Sequence, residues 1–166
     1  MVLAKEVSPH FIALKGQSGF SEFRLKAFLE KINVIFPQIE SLTCSEVYFL
    51  SLNEQIELLE ESFKERINTI LKAKDYEDQI ENNQFFLIPR LGTISPWSSK
   101  ATEILSNAGI GSLNRVEKGL CFSLKTSTKL DGSTLKKIGT NIYDRMTQSI
   151  ILSIAEAEKI FIQVSA

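Results

Sequence analysis

The segment EVYFLSL, residues 46–52, has a counterpart later in the chain in KGLCFSL, residues 118–124. Both segments lie in stretches rich in β-forming residues. In the second, Leu120, Phe122 and Leu124 alternate with more polar neighbours, as expected for a strand with one buried face. We therefore predict a β-strand at each position.

A helical pattern precedes each segment, and the two patterns are separated by the same number of residues as the two segments. Apolar residues at helical spacing predict a helix over 21–36, ended by Pro37, and another over 96–108. HFIALKG and FFLIPRLG, each closed by glycine, are predicted as two further strands. The shift that superposes position 46 on position 118 also matches the predicted inner faces of the two helices, which are Leu25, Leu29, Ile32 and Phe36, and Trp97, Ala101, Ile104 and Ala108.

A second helix is predicted in each half. Its apolar positions are Ile56, Leu59, Phe63 and Ile67 in the first half, and Leu135, Ile138, Ile142 and Met146 in the second. Because strand, helix, strand and helix occur twice in the same order, duplication is the favoured interpretation. We predict an α+β fold in which two similar units form a pseudo-dimer, with antiparallel sheets and helices packed on them. Repeat one covers about 8–70, a charged connector about 71–83, and repeat two about 84–161.

The composition is that of an ordinary globular protein. Of the 166 residues, 43% are hydrophobic and 23% are charged. Lys5 and Glu6 interrupt the region where a signal peptide needs an apolar core, and no apolar run approaches a membrane span. We expect a cytoplasmic protein with no membrane contact, in which Cys44 and Cys121 are reduced and buried.

The charge is divided unevenly between the halves. Residues 1–83 carry 9 basic and 14 acidic side chains, a net charge of −5, and residues 84–166 carry 10 basic and 6 acidic, a net charge of +4. Three interpretations are open: solvated faces, attraction between the halves, or a basic half that faces an anionic partner surface. Nucleic acid is a poor candidate, because the basic residues are not interleaved with exposed-looking aromatic residues.

Catalytic and metal-binding patterns are missing from the sequence. His10 is the only histidine, so the chain cannot build a histidine-based triad or metal site. GIGS, residues 109–112, follows a predicted helix instead of opening one, and is interpreted as a C-terminal cap and turn. We predict no catalytic residue and no metal ligand.

The stretch RLGTISPWSSKA, residues 90–101, has the pattern of a helix start. Ser95 fits the N-cap, Pro96 the first helical position, and Trp97 the inward stripe. The other polar side chains surround a helix N-terminus, which suits an anion or the carboxylate of a partner. Simple capping and a docking role are both open. The candidate docking residues are Arg90, Thr93, Ser95, Ser98, Ser99 and Lys100.

Three motifs carry a family resemblance over essentially the whole chain. They are PRLGTISPWSSKATEI at 89–104, NRVEKG at 114–119 and YDRMTQS at 143–149. In this order and spacing they resemble the amino-terminal domain of the large, single-chain phosphoribosylformylglycinamidine synthase, also called formylglycinamide ribonucleotide amidotransferase. That enzyme of purine biosynthesis is a ligase that converts formylglycinamide ribonucleotide to its amidine with glutamine and ATP. The family's amino-terminal domain resembles a fused pair of the small subunit found in the multi-chain form of the enzyme.

The resemblance implies a non-catalytic scaffold domain that packs against synthetase and glutaminase regions of the same polypeptide. The ATP and magnesium sites and the glutaminase chemistry would then lie beyond Ala166, with no cofactor in this chain. A free-standing, two-lobed module that binds a small ligand or a regulator is the alternative. A reading frame that continues past Ala166 would favour the scaffold domain.

Overall fold

The computed structural model describes residues 10–53, 61–77 and 83–161. These residues form an α+β fold, which confirms the predicted class. The elements in chain order are β1 (Phe11–Ser18), α1 (Glu22–Asn33), β2 (Ser41–Leu52), α2 (Glu61–Leu71), β3 (Lys74–Asp75), β4 (Asn83–Pro89), α3 (Pro96–Asn107), β5 (Leu113–Lys125), α4 (Gly132–Gly139), β6 (Gln148–Ile151) and α5 (Ile154–Ala157), followed by a 3₁₀ turn, Glu158–Phe161.

The six strands form one antiparallel sheet in the order β3-β1-β2-β5-β4-β6. The two segments that the sequence singled out are its central neighbours, β2 and β5. Their ladder runs from the Ser41–Lys125 pair to the Leu52–Leu113 pair, with Val47 opposite Gly119 near its middle.

Helices α1 to α4 pack on one face of the sheet. Ile67 of α2 and Leu105 of α3 join the apolar cluster around Leu50, whereas Ile32 of α1 and Ile138 of α4 join the neighbouring cluster. The opposite face, which includes Val47, Phe49 and Cys121, packs against α5 and the 3₁₀ turn. Both faces of the central strands are therefore buried, and each strand contributes side chains to all three apolar clusters.

The first helix of each half differs from its prediction, α1 in its length and α3 in its inner face. Helix α1 ends at Asn33, before Pro37, although Leu25, Phe28, Leu29, Ile32 and Phe36 do pack inward. In α3, Ile104 is 53% exposed and Ala108 is also exposed, so their predicted inward position is wrong. Ser98 and Leu105 are buried instead. The buried stripe of α3 is thus rotated relative to the hydrophobic pattern.

The second helices also differ from the prediction. Ile56 and Leu59 lie outside the described residues, while Phe63 and Ile67 pack inward as predicted. Helix α4 ends at Gly139, and Met146 lies in a turn with 72% of its side chain exposed. The prediction that Met146 continues the inner face of a helix is therefore wrong.

Two loop features complete the scaffold. Gly109 adopts a φ of 88° directly after the C-cap of α3, which confirms the predicted cap and turn. The predicted connector contains strand β3 at the sheet edge, and its Tyr76 is buried. Part of the connector therefore belongs to the sheet.

Candidate functional site

The start of α3 has the predicted capping geometry. Ser95 has extended backbone angles, with φ −70° and ψ 151°, and its Oγ accepts a hydrogen bond from the Ser98 backbone N–H at 3.0 Å. Pro96 occupies the first turn, where its missing N–H has no consequence. The serine-proline pattern therefore predicted this helix start correctly.

The same serine hydroxyl contacts a buried carboxylate. The Ser95 Oγ–H donates to Oε1 of Glu117 at 2.9 Å, and Glu117 has no exposed side-chain surface. The other carboxylate oxygen of Glu117 pairs with Arg115 on the same strand. A buried carboxylate is tolerated only when it is paired and hydrogen-bonded, so the α3 cap and the ion pair depend on each other.

Arg115 connects three segments of the chain. Its Nη2 also donates to the backbone oxygen of Thr93 at 3.0 Å, and its Nη1 donates to that of Ile160 at 3.0 Å. The guanidinium lies 5.3 Å from the ring centroid of Phe161. One side chain of β5 therefore fixes the loop before α3 and the 3₁₀ turn near the end of the described chain.

Ser98, a predicted docking residue, and Trp97, from the predicted inward stripe, both help to pack α3 on the sheet. Ser98 is fully buried and donates to the backbone oxygen of Val116 at 2.6 Å, so its hydroxyl is used within the domain. Trp97 is half-buried and stacks on Tyr48, with the ring centroids 5.9 Å apart. Lys118 lies 5.1 Å from the tryptophan ring centroid.

The loop between β4 and α3 is anchored at its other end by the YDRMTQS segment. The Arg90 backbone N–H donates to the Thr147 oxygen at 2.9 Å, and the Leu91 N–H donates to Ser149 Oγ at 3.4 Å. Within the loop, Thr93 Oγ1 donates to the Arg90 oxygen at 2.6 Å. The three motifs of the sequence therefore meet around this one loop.

The fixed loop nevertheless presents apolar side chains to solvent. Leu91 is 41% exposed and Ile94 is 58% exposed. The remaining predicted docking residues on its surface are Arg90, Thr93, Ser99 and Lys100, all of them exposed. We call these six residues the α3 surface.

Sequence reasoning selected neither Arg115 nor Glu117. Both lie in the NRVEKG motif, which was noted only as part of the resemblance. The available signal was a pair of opposite charges two residues apart in a predicted strand, which places both side chains on the same face. That pattern is common on exposed strands, and only the structure shows that this face is buried.

The thiols form no reactive centre. Cys44 and Cys121 form no disulfide and are buried, as predicted, and they belong to clusters on opposite faces of the sheet. Burial, with a smaller contribution from Cys121, raises the pKa of the Cys44 thiol to about 12. Burial also raises the pKa of the Tyr48 phenol, whose O–H donates to Glu46 at 2.7 Å. Both groups are therefore protonated at neutral pH.

The described part of the chain brings no three His, Cys, Asp or Glu side chains together in a metal-binding arrangement. None of the helices in 10–53, 61–77 and 83–161 combines the length and apolar character that a bilayer crossing requires.

The family model for the formylglycinamide ribonucleotide amidotransferase N-terminal domain matches residues 45–161. The matched range contains most of β2, the α3 surface, the Arg115–Glu117 pair and all three motifs. The chain therefore belongs to the formylglycinamide ribonucleotide amidotransferase N-terminal family.

Proposed function

We propose that this domain is a non-catalytic assembly domain of the amidotransferase, and that it docks on the synthetase and glutaminase regions of the same polypeptide. The role places it in purine biosynthesis and in the cytoplasm. The ATP, magnesium and glutamine chemistry that the resemblance implies belongs to those regions. The observation that carries the proposal is a loop held firmly by hydrogen bonds that still exposes Leu91 and Ile94.

Rigid loops with exposed apolar residues favour binding for two physical reasons. A loop that is already fixed loses little conformational entropy when a partner covers it. Apolar residues that stay exposed in a well-packed domain gain free energy when they are buried in an interface. Arg115 and the Thr147 oxygen provide the fixation here, and Leu91 and Ile94 provide the apolar contact.

Cations beside these residues define the chemistry of the partner surface. Arg90 and Lys100 flank Leu91 and Ile94, and both are exposed. Residues 84–166, to which these cations belong, also have 10 basic and 6 acidic side chains, a net charge of +4. The matching surface on the catalytic regions is therefore apolar in its centre and acidic at its rim.

The internal repeat belongs to the same proposal. Strands β1 and β4 begin at 11 and 83, and β2 and β5 begin at 41 and 113, so the same offset separates the strands of both pairs. Val47 and Gly119, which are related by that offset, oppose each other in the central ladder. Two equivalent strands that pair antiparallel about such a centre support a fused pseudo-dimer, because a two-fold axis produces this register.

The docking role is tested by making Leu91→Ser with Ile94→Ser in the complete amidotransferase and in the 166-residue chain. We expect glutamine-dependent turnover of the complete enzyme to fall by about tenfold, as for central interface residues. The free energy of unfolding of the shorter chain should change much less, by about 1 kcal/mol or below, since both side chains lie at the surface.

Ile70→Ser is the matched control. Ile70 lies on α2 and is 42% exposed, close to the exposure of Leu91. It should change neither turnover nor stability. Unchanged turnover in the Leu91/Ile94 variant would show that the α3 surface does not dock, and an equal loss with Ile70→Ser would show that the effect is not local.

A further inference from the structure

A second surface near the α3 loop has a different character. A cleft of about 460 Å³ lies between the end of α4, the following turn and β6. Its polar lining consists mainly of Arg90, Lys136, Tyr143, Arg145, Gln148 and Ser149. We call it the cationic cleft.

The lining carries three positive charges and no carboxylate. Among the described residues, none of Arg90, Lys136 and Arg145 has an acidic side chain in ion-pair contact. Asp144 is the acidic residue next to Arg145 in the sequence, and its Oδ1 accepts from the Met146 N–H within its own turn. A bound anion would therefore give these three cations a counter-charge that the described side chains do not supply.

The neutral groups of the lining add hydrogen-bond donors. Ser149 Oγ accepts from the Leu91 N–H, which leaves its own proton for donation. Gln148 Oε1 accepts from the Asp144 N–H, which turns the acceptor end of the amide to the protein backbone. Tyr143 also lines the cleft, and its side chain carries a phenolic O–H. Donors without competing charged acceptors suit an oxyanion.

Helix stabilisation accounts for only one of the three cations. Lys136 lies in the last turn of α4, where a positive charge interacts favourably with the helix dipole. Arg90 follows β4 and Arg145 lies in the turn before β6, so neither belongs to that helix. Their convergence with Lys136 in one concavity requires a separate explanation.

We propose that the cationic cleft binds the phosphate group of a small phosphorylated molecule. Two arginines and a lysine can approach three oxygens of a phosphate group from different sides, whereas a carboxylate offers only two. A second cavity of about 540 Å³ shares Lys136 and Thr140 with the cleft and is lined also by Leu152. It provides space for the remainder of the molecule next to the phosphate.

Inorganic phosphate is the probe for the test. It is titrated into the isolated chain at constant ionic strength while backbone amide resonances are followed, with acetate and chloride titrated in parallel. We expect saturable shifts at Tyr143 to Ser149 and around Lys136 with phosphate, and no saturation with acetate or chloride. The double variant Lys136→Gln with Arg145→Gln should weaken phosphate binding by about tenfold or more.

Lys129→Gln with Lys159→Gln is the control. Both lysines are exposed and neither lines the cleft, and this variant also removes two positive charges from the chain. This control should bind phosphate as the unmodified chain does. Equal saturation by acetate, or unchanged phosphate affinity in the Lys136/Arg145 variant, would overturn the proposal. The proposal would also be overturned if the isolated chain does not bind phosphate while the Lys136/Arg145 variant lowers turnover of the complete enzyme. That result would identify the cleft as a contact to another domain.

Discussion

The starts of α1 and α3 use the same cap in different surroundings. Ser21 and Ser95 both have extended backbone angles, and each accepts a hydrogen bond from the N–H three residues later, at 3.3 Å and 3.0 Å. Beyond the cap, Ser21 is exposed and Arg24 lies 4.4 Å from the ring centroid of Phe20 at the surface. Ser95 instead donates to the buried Glu117.

The neighbouring strands explain this difference. At the offset that separates the start of β2 from the start of β5, Arg115 and Glu117 correspond to Thr43 and Ser45. Strand β2 therefore has small hydroxyl side chains where β5 has an ion pair. A surface contact such as Arg24 on Phe20 can be lost at little cost. A buried pair cannot be lost in this way, because an unpaired charge would stay behind. A serine cap therefore becomes a rigid anchor only where it is connected to the core.

Glu117→Ala should have the largest effect on this contrast. It leaves Arg115 without its carboxylate partner, and we expect a loss of about 3 to 5 kcal/mol in the free energy of unfolding, measured by urea denaturation. Ser45→Ala, at the equivalent position of β2, should cost less than about 1 kcal/mol. Replacing both charges, with Glu117→Leu and Arg115→Met, should recover much of the loss. If the double variant is as unstable as Glu117→Ala, the ion pair is not the cause.

Trp97→Ala should follow in size. The side chain is half-buried against Tyr48, so we expect a loss of about 3 kcal/mol, at the lower end for tryptophan truncation. Leu25→Ala, at the equivalent position of α1, should cost about 2 kcal/mol because a smaller side chain is removed. Chemical denaturation of both variants gives the comparison. A loss at Trp97 below about 0.5 kcal/mol, as is usual for surface substitutions, would assign the ring to the exposed surface and not to the core.

The caps themselves should differ by a smaller amount. Ser21→Ala removes one exposed cap and should cost about 1 kcal/mol. Ser95→Ala removes a cap and a hydrogen bond to a buried carboxylate, and should cost about 2 kcal/mol. Thermal unfolding of the two variants measures the difference directly. Equal losses would mean that the contact with Glu117 adds nothing to the cap.

The first half should show a pH-dependent effect that is confined to alkaline conditions. Because the pKa of Cys44 is raised to about 12 from 9.0, the unfolded chain loses this proton at a lower pH than the folded chain. The contribution of Cys44 to stability is therefore complete below pH 9 and is lost as the pH rises from about 9 to about 12. Melting temperatures measured from neutral to alkaline pH should fall less steeply in Cys44→Val than in the unmodified chain. Parallel curves would contradict this linkage.

The features of the fold that were predicted correctly from the sequence depend on residues close together in the chain. The serine-proline pair identified the start of α3, and the run of β-forming residues identified β2 and β5, because capping and strand formation depend on neighbours in the sequence. Hydrophobic spacing was less accurate at Ile104 and Met146, which are exposed. The spacing of apolar residues does not reveal where a helix ends. It also does not show that Ser98 faces the sheet.

The less predictable features depend on contacts between distant segments. Ser98 is buried because its hydroxyl reaches a carbonyl of β5, and Glu117 is buried because Ser95 and Arg115 satisfy it. Both residues are polar, so composition favours the surface for each of them. The cationic cleft likewise required the turn before β6 to lie beside the end of β4. Such sites become visible only once the register of the sheet is known.

The central ladder also has a kinetic consequence. Ser41 pairs with Lys125 and Leu52 pairs with Leu113, so every pair in this ladder joins one half of the chain to the other. Closing such long loops costs chain entropy before any contact compensates for it. Domains dominated by distant antiparallel pairings fold in milliseconds to seconds, slower than helical bundles of similar size. The Arg115–Glu117 pair lies on β5, so the strand that holds the α3 loop gains its β2 partner only when the two halves of the chain have come together.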